Sequence, residues 1–357
     1  MAALDTFYRK QSDWLFGYLG YDIKNHIERL HSANRDRVQA PDLYFIVPGV
    51  LIRFDHREDS HVYIKGNPAK ENITEESKVG EFTVSPLEYT VTQNDYLDCI
   101  KEAQRRISEG DFYELNLSHQ LMADFKGEPY TLYTKMREVG PVPFGAYIQT
   151  EDLAVCSMSP ERFLSKEGDR VYSQPIKGTI QRGRNKTEDQ RLHKELRDSA
   201  KDKAENLMIV DLVRNDLSRI ARKGSVRVSD MFQIQTFGTV HQMVSTIEAE
   251  ADTENPIEII RACYPMGSMT GAPKISAMKS IEGLENYRRG IYSGAIGYLK
   301  PNGDFDFNVV IRTAIISGGH LYYSVGGAIT GDSDPVQEWE ETLVKARALT
   351  QVLDGTT

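Results

Sequence analysis

The chain has 357 residues, 40% of them apolar and 27% charged, the make-up of an ordinary globular protein with material for one large domain or two smaller ones. Its 52 acidic and 43 basic residues give a net charge of −9, which argues against nucleic acid or an anionic membrane as main partner but not against a small anion met by local Arg and Lys. No run of about 18 apolar residues is present, the N-terminus lacks an apolar signal core, and Cys99, Cys156 and Cys263 have neither metal-ligand spacing nor an even count; a reducing cytoplasm is the simplest expectation.

In chain order, residues 1–90 read as a helix followed by short strands, with an apolar run over 43–54 broken at Pro48-Gly49. Residues 66–86 are polar and read as a mobile connector. The spacing of Tyr96, Ile100, Ala103 and Ile107 predicts a helix over 94–109. Gly110-Asp111 ends it, and 113–121 alternates like a strand. Short strands follow at 153–157, 163–165 and 171–173, then one long helix over 190–220 and another after Pro273. Strands return at 291–299, 307–317 and 321–325, and a last helix spans 335–353. Strands and helices come in blocks, not in strict alternation, so the expected class is α+β. Residues 1–90 would pack on a core formed by 91–357.

Lys177 sits among Gln174-Pro175-Ile176 and Gly178-Thr179. Held by stiff neighbours it would be desolvated, and desolvation lowers an amine's pKa and makes it a nucleophile or base. The plainer reading is a strand-end lysine in water. Glu161 follows a proline-fixed turn; a partly apolar pocket would raise its pKa and suit it as a general acid, whereas an ion pair with Arg162 would be structural. On the last helix Glu338 and Glu341 share a face, as Asp202 and Glu205 do on the long one. Two such faces over one pocket would make an oxygen-ligand site for Mg²⁺, and the alternative is a surface pair of Glu341 with Lys345.

Gly267 to Lys274 (GSMTGAPK) reads as a turn entering a helix, with Thr270 as cap and Pro273 in the first turn. Free N–H groups there would suit a carboxylate. It lacks the spacing of a phosphate-binding loop. Gly326-Gly327, read as following a strand, permits close backbone approach to a ligand or simply a tight turn. Arg312, inside the apolar run 309–314, needs an anionic partner, either a substrate or a core carboxylate. His241 and Gln242 would donate to a substrate or be satisfied strand residues.

Seven segments in order, SPERF, PIKGT, AENLMIVDLVRNDL, GSMTGAPK, YSGAIGYL, VVIRTA and GGAITGDSDPVQEWEETLVKA, resemble those of the chorismate-utilising enzymes over roughly residues 95–350. The resemblance implies that family's fold, large antiparallel sheets with flanking helices. Within the family, anthranilate-type and isochorismate-type members carry alanine where Lys177 stands; lysine there is similar to the branch that aminates chorismate at C4. The implied mechanism has Lys177 attack C2 as the C4 hydroxyl leaves, with Glu161 as acid and Mg²⁺ assisting, after which ammonia adds at C4 and expels the lysine. Pyruvate elimination would fall to a separate lyase.

By the same match Glu205 and Glu341 would hold Mg²⁺, with Asp202 and Glu338 as outer or alternative ligands. Tyr292, Arg312, Lys345 and the backbone at Gly326 and Gly327 would bind substrate, and Gly178, Thr179, Ser268 and Gly271 would line the ring site. Ammonia would come from a separate glutamine amidotransferase, since no cysteine sits in a glycine-rich nucleophile turn. The chain departs from the family at two positions expected to be catalytic: Glu114, where Gln or Lys is usual and where an acid would attract ammonium but cannot donate as an amide does, and Gln242, where a His is usual. It shows no Leu-Leu-Glu-Ser-type motif, so no tryptophan feedback is expected. The rival readings are an anthranilate or isochorismate/salicylate synthase and an inactive chorismate-binding homologue.

Overall fold

The computed structural model describes residues 1–66, 80–238 and 240–354. Most of the connector expected over 66–86 lies outside the described residues; near its end Phe82–Val84 is a strand paired with the end of Glu114–Gly127. Among the described residues the strands form two large sheets, of nine and eight strands, plus the hairpin Leu51–Asp55/Ser60–Lys65. All their pairings are antiparallel, as α+β predicts. None of the described helices is long and apolar enough to cross a membrane.

The first sheet runs in the order Ile176–Gln181, Val240–Glu250, Arg170–Gln174, Arg162–Glu167, Phe305–Asn308, Ala295–Leu299, Leu15–Leu19, Leu43–Ile46, with Arg227–Thr236 also on Val240–Glu250. The second runs Gly271–Ala272, Glu114–Gly127, His320–Ile329, Thr313–Ser317, Leu153–Ser159, Phe144–Gln149, with two short strands on Glu114–Gly127.

Alternation along these strands sorts the core into layers. Leu15, Leu19 and Leu299 face the helices Ala200–Ser218 and Pro256–Cys263, in one cluster with Ile209, Val213, Ile259 and Ile260. Their neighbours Tyr18 and Ile296 point the other way and meet Val155, Ile315 and Tyr322 of the second sheet. On that sheet's far face Cys156, Ala314 and Leu321 pack with Leu132 and Met136 of the helix Pro129–Val139 and with Leu349 of the helix Pro335–Asp354. The order is helices, sheet, sheet, helices. Such strands are buried on both faces, which is why Leu153–Ser159 is buried throughout.

Four sequence expectations change. The helix over 190–220 is two, Lys186–Asp198 and Ala200–Ser218. Ser199 between them is extended and its side chain accepts from the Asp202 N–H at 3.2 Å, an N-cap that starts the second helix. The strand over 307–317 is Phe305–Asn308 in the first sheet and Thr313–Ser317 in the second. Val309 and Val310, wholly buried in the crossover, make the apolar run look continuous. The strand expected from 291 begins at Ala295, after a turn closed by the Gly294 N–H on the Ile291 carbonyl. Gly326 and Gly327 lie inside His320–Ile329 instead of after it.

Candidate active site

Two crossovers between the sheets lie side by side. The chain leaves the second sheet after Ser159 and enters the first at Arg162; it leaves the first after Asn308 and enters the second at Thr313. The Val309 N–H donates to the Glu161 carbonyl at 3.0 Å, and the Met158 N–H to the Arg312 carbonyl at 3.1 Å. Glu161 is therefore on one crossover and Arg312 on the other. Arg312 takes φ +50°, a left-handed conformation that lets the chain change sheets. Its guanidinium has no ion-pair partner among the described residues, so the core carboxylate that the sequence offered as one alternative does not pair with it. Burial lowers its pKa while Tyr323 and Glu161 oppose that. An arginine so placed is ready for an incoming carboxylate.

Glu161 is 5% exposed and does not pair with Arg162, which bonds Asp306 and Gln174 instead. Burial pushes its pKa up to about 7, against the pull of the Ser268 hydroxyl, the Lys177 charge, the Ile176 backbone and Arg312. Near neutral pH it holds a proton it can give away, as the sequence suggests for an acid in an apolar pocket.

Lys177 lies on Ile176–Gln181, where the register with Val240–Glu250 slips between Ile176 and Thr179 and Gly178 takes φ +84°. A Cβ at Gly178 would fall 2.8 Å from Asp202 Oδ1, so the turn packs onto the Asp202 carboxylate and only glycine fits. The turn aims Lys177 across to the second sheet, where Nζ donates to Glu114 Oε1 at 2.7 Å, with side chains 10% and 2% exposed. Glu114 Oε2 is buried with no partner among the described residues. The expectation of a depressed lysine pKa is corrected: burial does push it down, but Glu114, Glu205 and Glu161 together outweigh burial, and the net shift is upward. Lys177 rests as an ammonium.

The four acidic residues proposed for metal come to the same end of the molecule but not into a closed shell. Lys201 lies 3.9 Å from Glu205 and its charge also reaches Glu338 and Glu341, so the two helices do face one another. Glu338 is 5% exposed and accepts from Ser333 at 2.9 Å; burial raises its pKa and the Glu341 charge adds to that. Glu205 is likewise raised by burial, against Lys177. For Glu341 burial is outweighed by Lys345, 2.6 Å away, and the net shift is downward. Among the described residues no three His, Cys, Asp or Glu side chains converge to hold an ion unaided. The donors are all carboxylates, the set Mg²⁺ takes one or two at a time with waters and substrate oxygens completing its shell, so they fit a metal bound jointly with substrate.

Gly326 and Gly327 pair with Ser118 and Leu117. A Cβ at Gly327 would stand 3.2 Å from Glu338 Oε2, 3.7 Å from Lys345 Nζ and 4.0 Å from Glu341 Oε1, so the bare backbone faces the acidic helix. Lys345 Nζ donates to the Gly326 carbonyl at 2.8 Å and is already engaged by Glu341, the surface pairing that the sequence allowed. Ser268, 8% exposed, is in the short helical turn Gly267–Met269. Thr270 does not cap the next helix: its hydroxyl donates back to Met266 and Gly267, and Pro273 is the N-cap of Lys274–Leu284. Gly271 meets protein backbone, since a Cβ there would lie 2.1 Å from the Glu114 carbonyl. A bare backbone there lets Gly271–Ala272 pair closely with the strand that begins at Glu114.

Thr179 is exposed and accepts from Gln242 Nε2 at 3.4 Å, while Gln242 Oε1 is buried with no partner among the described residues. His241 is a satisfied strand histidine, bonded to Thr236 at 2.9 Å and Asp189 at 3.1 Å. Tyr292 is 3% exposed, pushed up to about 12 by burial, and lies by Arg289, Glu285 and Ser118.

Sequence reasoning missed two supports. Lys274 donates to Asp216 at 2.6 Å and to the Cys263 and Pro265 carbonyls, tying the Gly267 turn to the helix Ala200–Ser218. Arg289 spans Glu285 and the carbonyls of Met269 (2.7 Å) and Asn116 (2.7 Å), fixing the same turn to the strand that begins at Glu114. Lys274 closes the GSMTGAPK motif, where the sequence reading turned on backbone N–H groups and gave the lysine no partner; Arg289 lies outside every motif.

Residues 2–351 match the model of the chorismate binding enzyme family. The chain is 40% identical over 362 residues to the aminodeoxychorismate synthase of Streptomyces griseus, covering 95% of this chain and 50% of that one, so it spans half the length of this relative. It is 34% identical over 358 residues to aminodeoxychorismate synthase component 1 of Bacillus subtilis, covering 95% and 76%. The crystal structure of anthranilate synthase component I from Streptococcus pneumoniae superposes with a TM-score of 0.83 at 28% identity, covering 94% and 80%. With that fold, and with the family match running nearly end to end, the chain belongs to the chorismate binding enzymes.

Proposed function

We propose that this chain aminates chorismate at C4, giving 4-amino-4-deoxychorismate with the enolpyruvyl group kept. The observation that carries the reading is Lys177, a buried amine bonded to Glu114; its charge and that of Arg312 both act on Glu161. The names of the relatives from Streptomyces griseus and Bacillus subtilis support the same activity.

Arg312 receives a substrate carboxylate and orients the ring. The Lys177 amine forms a bond to C2, both conjugated ring double bonds shift (C1=C2 to C1=C6 and C5=C6 to C4=C5), and the C4–O bond breaks; Glu161 gives its proton to the departing hydroxyl, which leaves as water. Ammonia then forms a bond to C4, both double bonds shift back, and the C2–N bond breaks to release Lys177, with the spare ammonia proton returning to Glu161. The net reaction is chorismate plus ammonia to aminated product plus water. Glu205 and Glu341, with Asp202 and Glu338 beside them, would hold Mg²⁺, which when bound supplies positive charge to a substrate carboxylate and to the leaving oxygen.

Ammonia comes from a separate glutamine amidotransferase. The "component 1" of the Bacillus subtilis relative's name supports a second component. The chain's own thiols are poor nucleophiles: burial pushes Cys156 up to about 12 and also raises Cys99 and Cys263. The test is a coupled assay with chorismate, Mg²⁺ and ammonium. p-Aminobenzoate appearing only when a pyridoxal-phosphate lyase is added supports the reading. Anthranilate, isochorismate or salicylate without lyase would replace it with a rival member of the family, and no turnover with intact chorismate binding would leave an inactive homologue.

A further inference from the structure

The resting lysine poses a chemical problem. An ammonium has no lone pair, so Lys177 must lose a proton before it can bond to carbon. Four carboxylates face it: Glu114 from the second sheet, Glu161 from the crossover, Glu205 from the helix Ala200–Ser218 and Glu341 from the last helix. Among the described residues only Glu114 is hydrogen-bonded to Nζ, at 2.7 Å.

We propose that Glu114 is the base that takes the Lys177 proton and frees the amine for attack, an assignment that rests on the amination reading above. The buried Oε2 of Glu114 has no partner among the described residues, so the carboxylate has acceptor capacity that no structural bond uses. A buried, half-satisfied carboxylate is costly to a fold unless it has a task. The residue cannot drift from its place. The Tyr113 N–H donates to the Ala272 carbonyl at 2.7 Å and the Asn116 N–H to the Thr270 carbonyl at 2.8 Å, one on each side of Glu114. The base is fixed on a sheet, and the long, unbranched lysine is the member of the pair that moves toward substrate.

The step balances. One Nζ–H bond breaks and the proton passes to a Glu114 oxygen. The freed lone pair forms the bond to C2, and the hydroxyl expelled from C4 takes its proton from Glu161, not from Glu114. When ammonia later expels the lysine, the amine recovers the proton from Glu114, so the pair ends as it began. The two carboxylates have opposite duties: Glu161 gives a proton to the substrate and Glu114 receives one from the nucleophile.

The experiment compares the unaltered chain with Glu114→Gln and Glu114→Asp, following the aminated product by mass spectrometry with chorismate, Mg²⁺ and saturating ammonium from mildly acidic to alkaline pH. Glu114→Gln keeps the size and one acceptor but cannot take the proton. Its kcat is expected to fall about 100-fold at neutral pH, the usual scale of general-base catalysis. Its deficit relative to the unaltered chain then narrows by about tenfold per pH unit, as solvent replaces the missing base. Glu114→Asp keeps a base on a shorter arm and is expected to retain the unaltered pH profile at reduced rate. The assignment is overturned if Glu114→Gln turns over as fast as the unaltered chain at neutral pH, or faster, for then the carboxylate only restrains the lysine. It is equally overturned if the Gln deficit does not change with pH, or, should Glu114→Gln fail to fold, if Glu114→Asp shows the narrowing deficit. Amination by the unaltered chain with an unaffected variant removes this assignment alone; no amination by the unaltered chain removes both it and the reading beneath it.

Discussion

The backbone carbonyl of Glu161 accepts the Val309 N–H at 3.0 Å, and this bond joins the two places where the chain changes sheets. Glu161 and Arg312, the proposed acid and anion receptor, are thus set by the same packing that builds the core, with Val309 wholly buried beneath them. Because the residue is held inside, its charge is costly, and both activity and stability inherit its titration.

With the Glu161 pKa raised to about 7, activity that needs the protonated acid falls as pH rises through that value. Glu161→Gln removes this alkaline limb and lowers kcat by about 10²-fold or more. Stability falls with rising pH as well, so the substitution that lowers activity raises stability there. The folded state holds its proton more tightly than the unfolded chain, so the wild-type fold loses stability as pH climbs from the ordinary value of 4.5 to about 7 and then levels. The difference corresponds to as much as about 3 kcal/mol, so Glu161→Gln is expected to be more stable than wild type above neutrality and equal to it in acid. Urea titrations at two pH values check this.

Arg312→Ala removes a partly buried guanidinium that has no protein ion-pair partner among the described residues. A charge-assisted bond to a substrate carboxylate is worth about 1.5–3 kcal/mol, so KM for chorismate is expected to rise about tenfold to a hundredfold, with a smaller change in kcat. Initial rates against chorismate concentration decide it; an unchanged KM would place the substrate elsewhere.

Lys274→Met leaves Asp216 buried without its cation, since the two side chains are 12% and 7% exposed and 2.6 Å apart. Breaking such a pair from one side costs about 3–5 kcal/mol, and adding Asp216→Asn should restore part of it. The midpoint of urea unfolding measures both. Equal stability of the single and double variants would mean that the pair does not hold the Gly267 turn.

Glu205→Gln retains shape but removes one of the carboxylates proposed to hold Mg²⁺. The Mg²⁺ concentration for half-maximal rate is expected to rise by tenfold or more, with fold stability unchanged or slightly improved because burial disfavours this charge. A magnesium titration of rate, with stability followed separately, distinguishes a lost ligand from a lost fold.

Much of this was legible in the sequence. Periodicity placed the helix Gln93–Ser108 within a residue, and the blockwise order of elements gave α+β. The segments around Lys177, Glu161 and Arg312 were all singled out, and they lie on one turn and two crossovers. What was not legible has physical reasons. The strand expected through Arg312 is two strands in different sheets, because a crossover buried on all sides carries the same apolar residues as a strand. The helix break at Ser199 is made by a side-chain cap that leaves the apolar pattern intact. The sign of the Lys177 shift needed tertiary structure: burial was foreseeable, but Glu114, Glu161 and Glu205 come from distant parts of the chain. Arg289, which pins Asn116 and Met269, has no local pattern to betray it.

The central claim is that Lys177 makes this site an aminating one. The most direct measurement is the product spectrum, by mass spectrometry, of the unaltered chain and of Lys177→Ala supplied with chorismate, Mg²⁺ and ammonium. The account predicts 4-amino-4-deoxychorismate from the first and none from the second, with chorismate still bound by Lys177→Ala. Full amination by Lys177→Ala would contradict it.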